Sequence, residues 1–132
     1  MTDRMSQADD LAARLKRFAA RVVKFSRTLP REPAADVLAR QLVGAGTGES
    51  ANYHSARRGR SRAEFISKLN VAAEEADEAE HWLTVIEQSD IVRSPASKKE
   101  LDWLLNEAKQ LRAILVASVR TARANHHRSV NR

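Results

Sequence analysis

From Gly46 to Leu83 the chain reads GTGESANYHSARRGRSRAEFISKLNVAAEEADEAEHWL. This is the end of one helix, a basic joint, and then a long amphipathic helix. In the last part Phe65, Leu69, Ala72, Ala76, Ala79, Leu83 and, just beyond, Ile86 recur at alternating spacings of four and three. That is an a/d heptad seam, and it lays one narrow apolar stripe along a helix. Ser61, followed three residues later by Glu64, is a capping box that opens this helix, which is expected over about residues 62–89.

Upstream, the joint itself is Arg57-Arg58-Gly59-Arg60-Ser61-Arg62, with Gly59 expected to supply a left-handed C-cap. The helix before it is expected over 34–58. Its seam begins with Leu38, Leu42 and Ala45, then meets Glu49 and Asn52 before Ala56. Polar side chains on a core-facing stripe are costly unless hydrogen-bonded, so both are candidate buried polar residues in need of partners. A basic or amide group on a facing helix is the expected partner. Gly44, Gly46 and Gly48 fall in the same stretch, and each costs on the order of 1 kcal/mol relative to Ala in a helix. Close helix–helix approach accounts for such a cluster. A phosphate-binding loop does not, because no strand precedes it and neither GxGxxG nor Gly-Lys-Ser/Thr is present.

Working outward, Leu11, Leu15, Phe18, Val22, Phe25 and Leu29 give a first helix over about 8–29, with Asp9 and Asp10 suiting its start. Pro30 and Pro33 stop it. At the other side SDIVRSPASKKE breaks the third helix at Pro95. Leu101, Leu104, Ala108, Leu111 and Leu115 give a fourth helix over about 97–123, its stripe continuing through Ser118 to Ala122. The Ser118 hydroxyl can bond the carbonyl one turn back. Residues 124–132 read as a frayed basic tail. Four seams joined by short loops predict an all-α, antiparallel up-down four-helix bundle, one domain over 1–132.

The bulk composition agrees. There are 132 residues, 42% hydrophobic and 30% charged, with 4 Gly and 3 Pro, which suits one soluble helical domain. The absence of cysteine excludes disulfides and thiol chemistry. No signal-peptide pattern and no run of ~20 apolar residues is found, so neither secretion nor a membrane span is expected. A cytoplasmic location is the expectation.

The net charge of +6 is unevenly spread. Residues 1–33 carry 8 basic and 4 acidic groups, residues 34–62 carry 5 and 2, residues 63–92 carry 1 and 8, and residues 93–132 carry 9 and 3. One acidic helix thus sits among basic elements. Either charges complement one another within or between subunits, or the basic groups form an outer surface for nucleic acid. The candidate nucleic-acid contacts are Arg57, Arg58, Arg60 and Arg62 at the joint, extended by Lys98, Lys99, Arg120, Arg123 and Arg128. Tyr53 offers little aromatic interleaving, so sequence reading is not expected.

Catalytic and metal constellations are thin. Glu78-x-x-His81 matches half of a di-metal bundle motif, which needs a second copy that the chain lacks, and His81 lies opposite the seam. His126 and His127 are adjacent and make a weak site. No cofactor, metal or catalysis is expected. Trp82, Val85 and Trp103 lie beside or away from the central stripes, which makes them candidate subunit-interface anchors.

The pattern also resembles a known family. Gln41-Leu42, Gly46-Thr47, Ala51-Asn52-Tyr53, Ala56-Arg57-Arg58, Arg60-Ser61, Phe65-Ile66, Lys68-Leu69, Glu75, Glu78 and Trp82-Leu83 are similar to the small four-helix-bundle proteins first met in intervening sequences of bacterial 23S ribosomal RNA genes. The resemblance covers roughly residues 10 to 120. It implies a homo-oligomeric ring, commonly a pentamer, with no known catalysis. Relatives that serve diversity-generating retroelements bind nucleic acid and a reverse transcriptase through basic surfaces. Two positions depart from the pattern: an apolar residue is usual at Glu49, and Glu is usual at Ser55.

Overall fold

The computed structural model describes residues 4–131, with side chains described from residue 6. Four helices follow one another: α1 (Arg4–Ser26), α2 (Pro33–Arg57), α3 (Arg62–Gln88) and α4 (Pro95–Val130). No strand occurs among the described residues. Each helix packs against its neighbours in sequence, and α1 closes on α4, while the diagonal pairs do not meet. This is the all-α up-down bundle.

The heptad stripes make the core. Leu15, Phe18, Val22 and Phe25 are buried along α1, and Leu29 just beyond it. Leu69, Ala72, Ala76, Ala79, Leu83 and Ile86 are buried along α3, and Leu101, Leu104, Ala108, Leu111 and Leu115 along α4. At the start of α3 Ile66 is buried while Phe65 is half-buried, so the inner register there is shifted by one residue. The largest interface is α2 on α3. Small side chains explain it, because Ala45, Ala72, Ala73 and Ala76 let the two backbones come close. A Cβ on Gly46 would lie 3.1 Å from Val22 Cγ1, and one on Gly48 would lie 2.5 Å from Glu75 Oε2. Close approach to α1 therefore accounts for Gly46, whereas at Gly48 the contact is with the movable end of the Glu75 side chain, and Gly44 has nothing within 4 Å of its would-be Cβ.

Four boundary expectations are corrected. The first helix is already formed at Arg4 and ends at Ser26, so Asp9 and Asp10 lie within it rather than at its start. Leu29 reaches the core through a turn in which its N–H donates to the Ser26 carbonyl. Pro33 and Pro95 are not outside the helices but open them, where a missing N–H costs nothing. Ser94 Oγ caps the second of these by accepting from the Ser97 N–H at 3.1 Å. Gly59 has no positive φ; its role is spatial, since a Cβ would sit 3.1 Å from both the Ala56 carbonyl and the Phe65 nitrogen.

The fourth correction matters most for function. The residues after Arg123 do not form a frayed tail, because α4 continues to Val130. No Gly or Pro interrupts the segment, His127 and Arg128 complement the dipole in the last turn, and His126 is half-buried against the first turns of α3.

Candidate nucleic-acid interface

The up-down topology gathers the α2–α3 joint, the start of α1 and the end of α4 at one end of the bundle. The α1–α2 and α3–α4 loops lie at the other, where Thr28 and Ser97 meet at 3.5 Å. Lys98 and Lys99, in the first turn of α4, belong to that far end. Lys98 stands 25 residues before Arg123 on one helix, roughly 37 Å away at 1.5 Å per residue. They do not extend the joint's surface, contrary to the sequence reading.

At the near end the joint is tightly built. The Gly59 N–H donates to the Ala56 carbonyl at 3.0 Å, and the Phe65 N–H donates to the Ser61 carbonyl at 3.0 Å. Ser61 Oγ accepts from the Glu64 N–H at 3.1 Å, which is one half of the expected capping box; the Glu64 carboxylate faces Lys68 instead of returning to the Ser61 N–H. Arg57 is engaged within the chain: it donates to Asp9 Oδ1 at 2.7 Å and to the Ala8 carbonyl at 3.4 Å. Arg58, Arg60 and Arg62 are exposed and have no ion pair among the described residues. The same holds of Arg120, Arg123 and Arg128 on α4. No acidic residue follows Glu107 in the sequence, so this half of α4 is purely basic.

The acidic face of α3 does not take up the joint arginines. Glu80 binds Arg112 of α4 at 2.5 Å, and Glu64 faces Lys68 of its own helix at 3.5 Å. Glu74, Asp77, Glu78 and His81 are exposed. His81 meets the Trp82 ring edge-on, centroids 4.9 Å apart. No group of three or more metal-ligating side chains clusters among the described residues.

Glu49 is placed inside the bundle, as its register requires, with 0% of its surface exposed. The expected basic or amide partner is not there. Both carboxyl oxygens are buried without a hydrogen bond among the described residues. The charged groups around it are acidic: burial first, then Glu75 and Glu107, push its carboxyl up to about 8. Glu49 is therefore neutral at pH 7, which is how an unpaired carboxyl survives in a core. Glu75 is also raised, by burial and then by Glu78. Asn52 is half-buried, and its side-chain amide donates back to the Gly48 carbonyl at 2.8 Å, a partner on its own helix rather than a facing one. Ser55 is half-buried. Ser118 Oγ donates to the Ile114 carbonyl at 2.8 Å, as expected.

Trp82, Val85 and Trp103 are half-buried, and both tryptophans pack on the edge of the core. The Trp103 ring carries the Arg21 guanidinium 3.5 Å above its centroid. Arg21 also forms a two-pronged pair with Glu100, at 2.9 and 2.5 Å. One heptad away, Arg14 grips Glu107 with two bonds of 2.8 Å and reaches Gln110 at 2.6 Å. These hydrogen bonds raise both arginines above their ordinary values. The sequence reading missed this α1–α4 seam. Its signal was present, since Arg14 and Arg21 are spaced by seven, and so are Glu100 and Glu107, the interval that keeps flanking charges on one side of a bundle helix. The most exposed large apolar side chains are Val37, Val71 and Val130, none of which had been singled out.

No helix among the described residues is long and apolar enough to cross a membrane. No curated protein matches the chain. Among solved structures it is similar to a protein of unknown function from the S23 ribosomal protein family of Bacteroides thetaiotaomicron. The two are 26% identical, the match covers 86% of this chain and 97% of that one, and the TM-score is 0.75. The family described as 23S rRNA-intervening sequence protein matches residues 10–117. With most of the bundle inside that match, the chain belongs to the 23S rRNA-intervening sequence protein family.

Proposed function

We propose that the chain is a non-enzymatic, homo-oligomeric binding scaffold. It holds nucleic acid by its phosphates at the end of the bundle where the joint and the last turns of α4 meet. One observation carries this reading: among the described residues exposed arginines without an ion pair also occur elsewhere (Arg17, Arg27, Arg31, Arg40 and Arg93), but at the end with the joint they come together with a half of α4 that carries no acidic residue. Arg14, Arg21, Arg57 and Arg112 are paired with carboxylates. Arg58, Arg60, Arg62, Arg120, Arg123 and Arg128 are gathered at one end, exposed, and without an ion pair among the described residues. A guanidinium free of carboxylates is a ready fork for phosphate oxygens. A ring of copies, a pentamer by resemblance, would repeat this end, so that weak contacts sum to useful avidity.

Binding to a labelled single-stranded RNA or DNA, followed by fluorescence anisotropy as salt is raised, tests the reading. Affinity should fall steeply with salt and depend little on sequence. Changing Arg58, Arg60, Arg62 and Arg123 together to Gln should lower both the affinity and the salt slope, with sedimentation unchanged. No binding at low salt would leave a protein adaptor in its place, and a monomer at micromolar concentration would remove the ring.

A further inference from the structure

A groove of about 610 Å³ runs between the first turns of α3 and the last turns of α4. Its apolar lining includes Ile66, Val71 and Val130, and its basic lining is Arg123, His126 and His127. No carboxylate lines it. Val71 is 37% exposed and Val130 68%, so two of the three exposed large apolar side chains of the described residues open onto this one groove. Isolated exposed apolar residues need no explanation; a shared, basic-rimmed trough of them marks an interaction surface.

We propose that this groove docks an acidic amphipathic helix of another protein. The proposal does not rest on the nucleic-acid reading, because it uses apolar anchors on the flank of the bundle. Two features choose the occupant. The groove is lined along α3 from Ala63 to Val71, eight residue steps or roughly 12 Å. That is the reach of the i to i+7 anchors of a docked helix. Its charged side chain is Arg123, with the imidazoles of His126 and His127 beside it, so carboxylates flanking the partner's apolar face meet a guanidinium and hydrogen-bonding rings there. A second copy of this chain fits less well. Its acidic α3 carries an apolar stripe already buried in its own core, leaving carboxylates without a ridge to insert.

The probe is a fluorescein-labelled helical peptide of about 20 residues, with Leu at helical i, i+4, i+7 spacing and Glu on both flanks. Two controls accompany it: the same composition scrambled so that no apolar face forms, and the same peptide with Lys for Glu. The Glu peptide should bind saturably, and both controls at least ~10-fold more weakly. Val71→Glu and Val130→Glu should each weaken binding ~10-fold or more, as loss of an anchor does. Both positions are exposed, so the melting temperature should stay as in the wild type. No saturable binding up to about 1 mM, the weak end of useful affinity, would overturn the proposal. Equal binding of the scrambled peptide, or indifference to both substitutions, would do the same. If either variant sediments as a smaller species, the groove is a contact between copies and the proposal fails. If single-stranded RNA binding requires Val71 and Val130, the groove is a nucleic-acid site and the proposal fails. Loss of RNA binding in the arginine variant alone concerns only the earlier reading.

Discussion

Glu49→Leu should stabilise the protein at neutral pH, by an amount that grows as pH rises. The folded-state carboxyl titrates at about 8 against an ordinary 4.5. Between those values Glu49 is protonated when folded and ionised when unfolded, so folding takes up a proton. Stability then declines with rising pH by roughly 1.4 kcal/mol per unit. The cost is absent below about pH 4.5, reaches about 3 kcal/mol at pH 7, and levels off near 5 kcal/mol above pH 8. Leucine is similar in size, cannot ionise, and replaces two buried oxygens that have no partner. It should therefore exceed the wild type by about 3 kcal/mol at pH 7 and by under about 1 kcal/mol at pH 5. Glu49→Gln should flatten the pH slope while keeping a polar group in the core. Urea unfolding followed by circular dichroism at about pH 5, 6 and 7 measures both, at one protein concentration because assembly shifts apparent stability. The reasoning is refuted if wild type and Glu49→Gln show the same slope. It is equally refuted if the leucine variant is less stable at all three pH values, since Glu49 would then hold a specific network together.

Leu69→Ala should cost roughly 2–5 kcal/mol in urea unfolding, as large-to-small core changes do; a near-neutral result would mean that the α3 stripe does not face the core. Gly44→Ala should raise stability by up to about 1 kcal/mol, the helix-propensity gain with open space for the new methyl. Gly46→Ala should lower it, because the methyl meets the stiff Val22 side chain at 3.1 Å, and thermal melts that rank the two variants the other way would contradict the packing. Asp90, at φ 58°, sits in the left-handed region, so Asp90→Gly should be neutral or stabilising by up to roughly 1 kcal/mol, whereas Asp90→Val should destabilise; equal melting temperatures for the two variants would argue against strain there.

The heptad seams made the bundle legible because periodicity reports directly which face is buried. Glu49 shows both the reach and the limit of that signal. Register placed it in the core, but register carries no information on what stands opposite. Three carboxylates from α2, α3 and α4 came near one another instead of the expected acid–base pair. Lys98 and Lys99 failed as part of the basic surface for a related reason. Charge along a sequence does not say which end of a long helix it occupies, and topology put them with the opposite loops. The last turns of α4 were misread because their seam fades after Ala122. Helix continuation there rests on the lack of a breaker and on contact with α3, and only the first of these can be read from the chain. The groove lined by Val71 and Val130 is hidden from the sequence for the same reason, since it exists only once α4 runs on.

The polar α1–α4 seam has a consequence for how the molecule comes together. Every other helix contact joins sequence neighbours, whereas Arg21 meets Glu100 across 79 residues and Arg14 meets Glu107 across 93. Low sequence separation makes folding fast, and the α2–α3 hairpin, with the largest interface, is the natural nucleus. The α1–α4 edge, the smallest interface, should then zip last, once the hairpins have brought its two sides together, and be the first to part in hydrogen exchange. During synthesis α1, α2 and α3 are therefore expected to dock while this edge still stands open. Its closure must wait until α4, with Glu100 and Glu107, is free to pack.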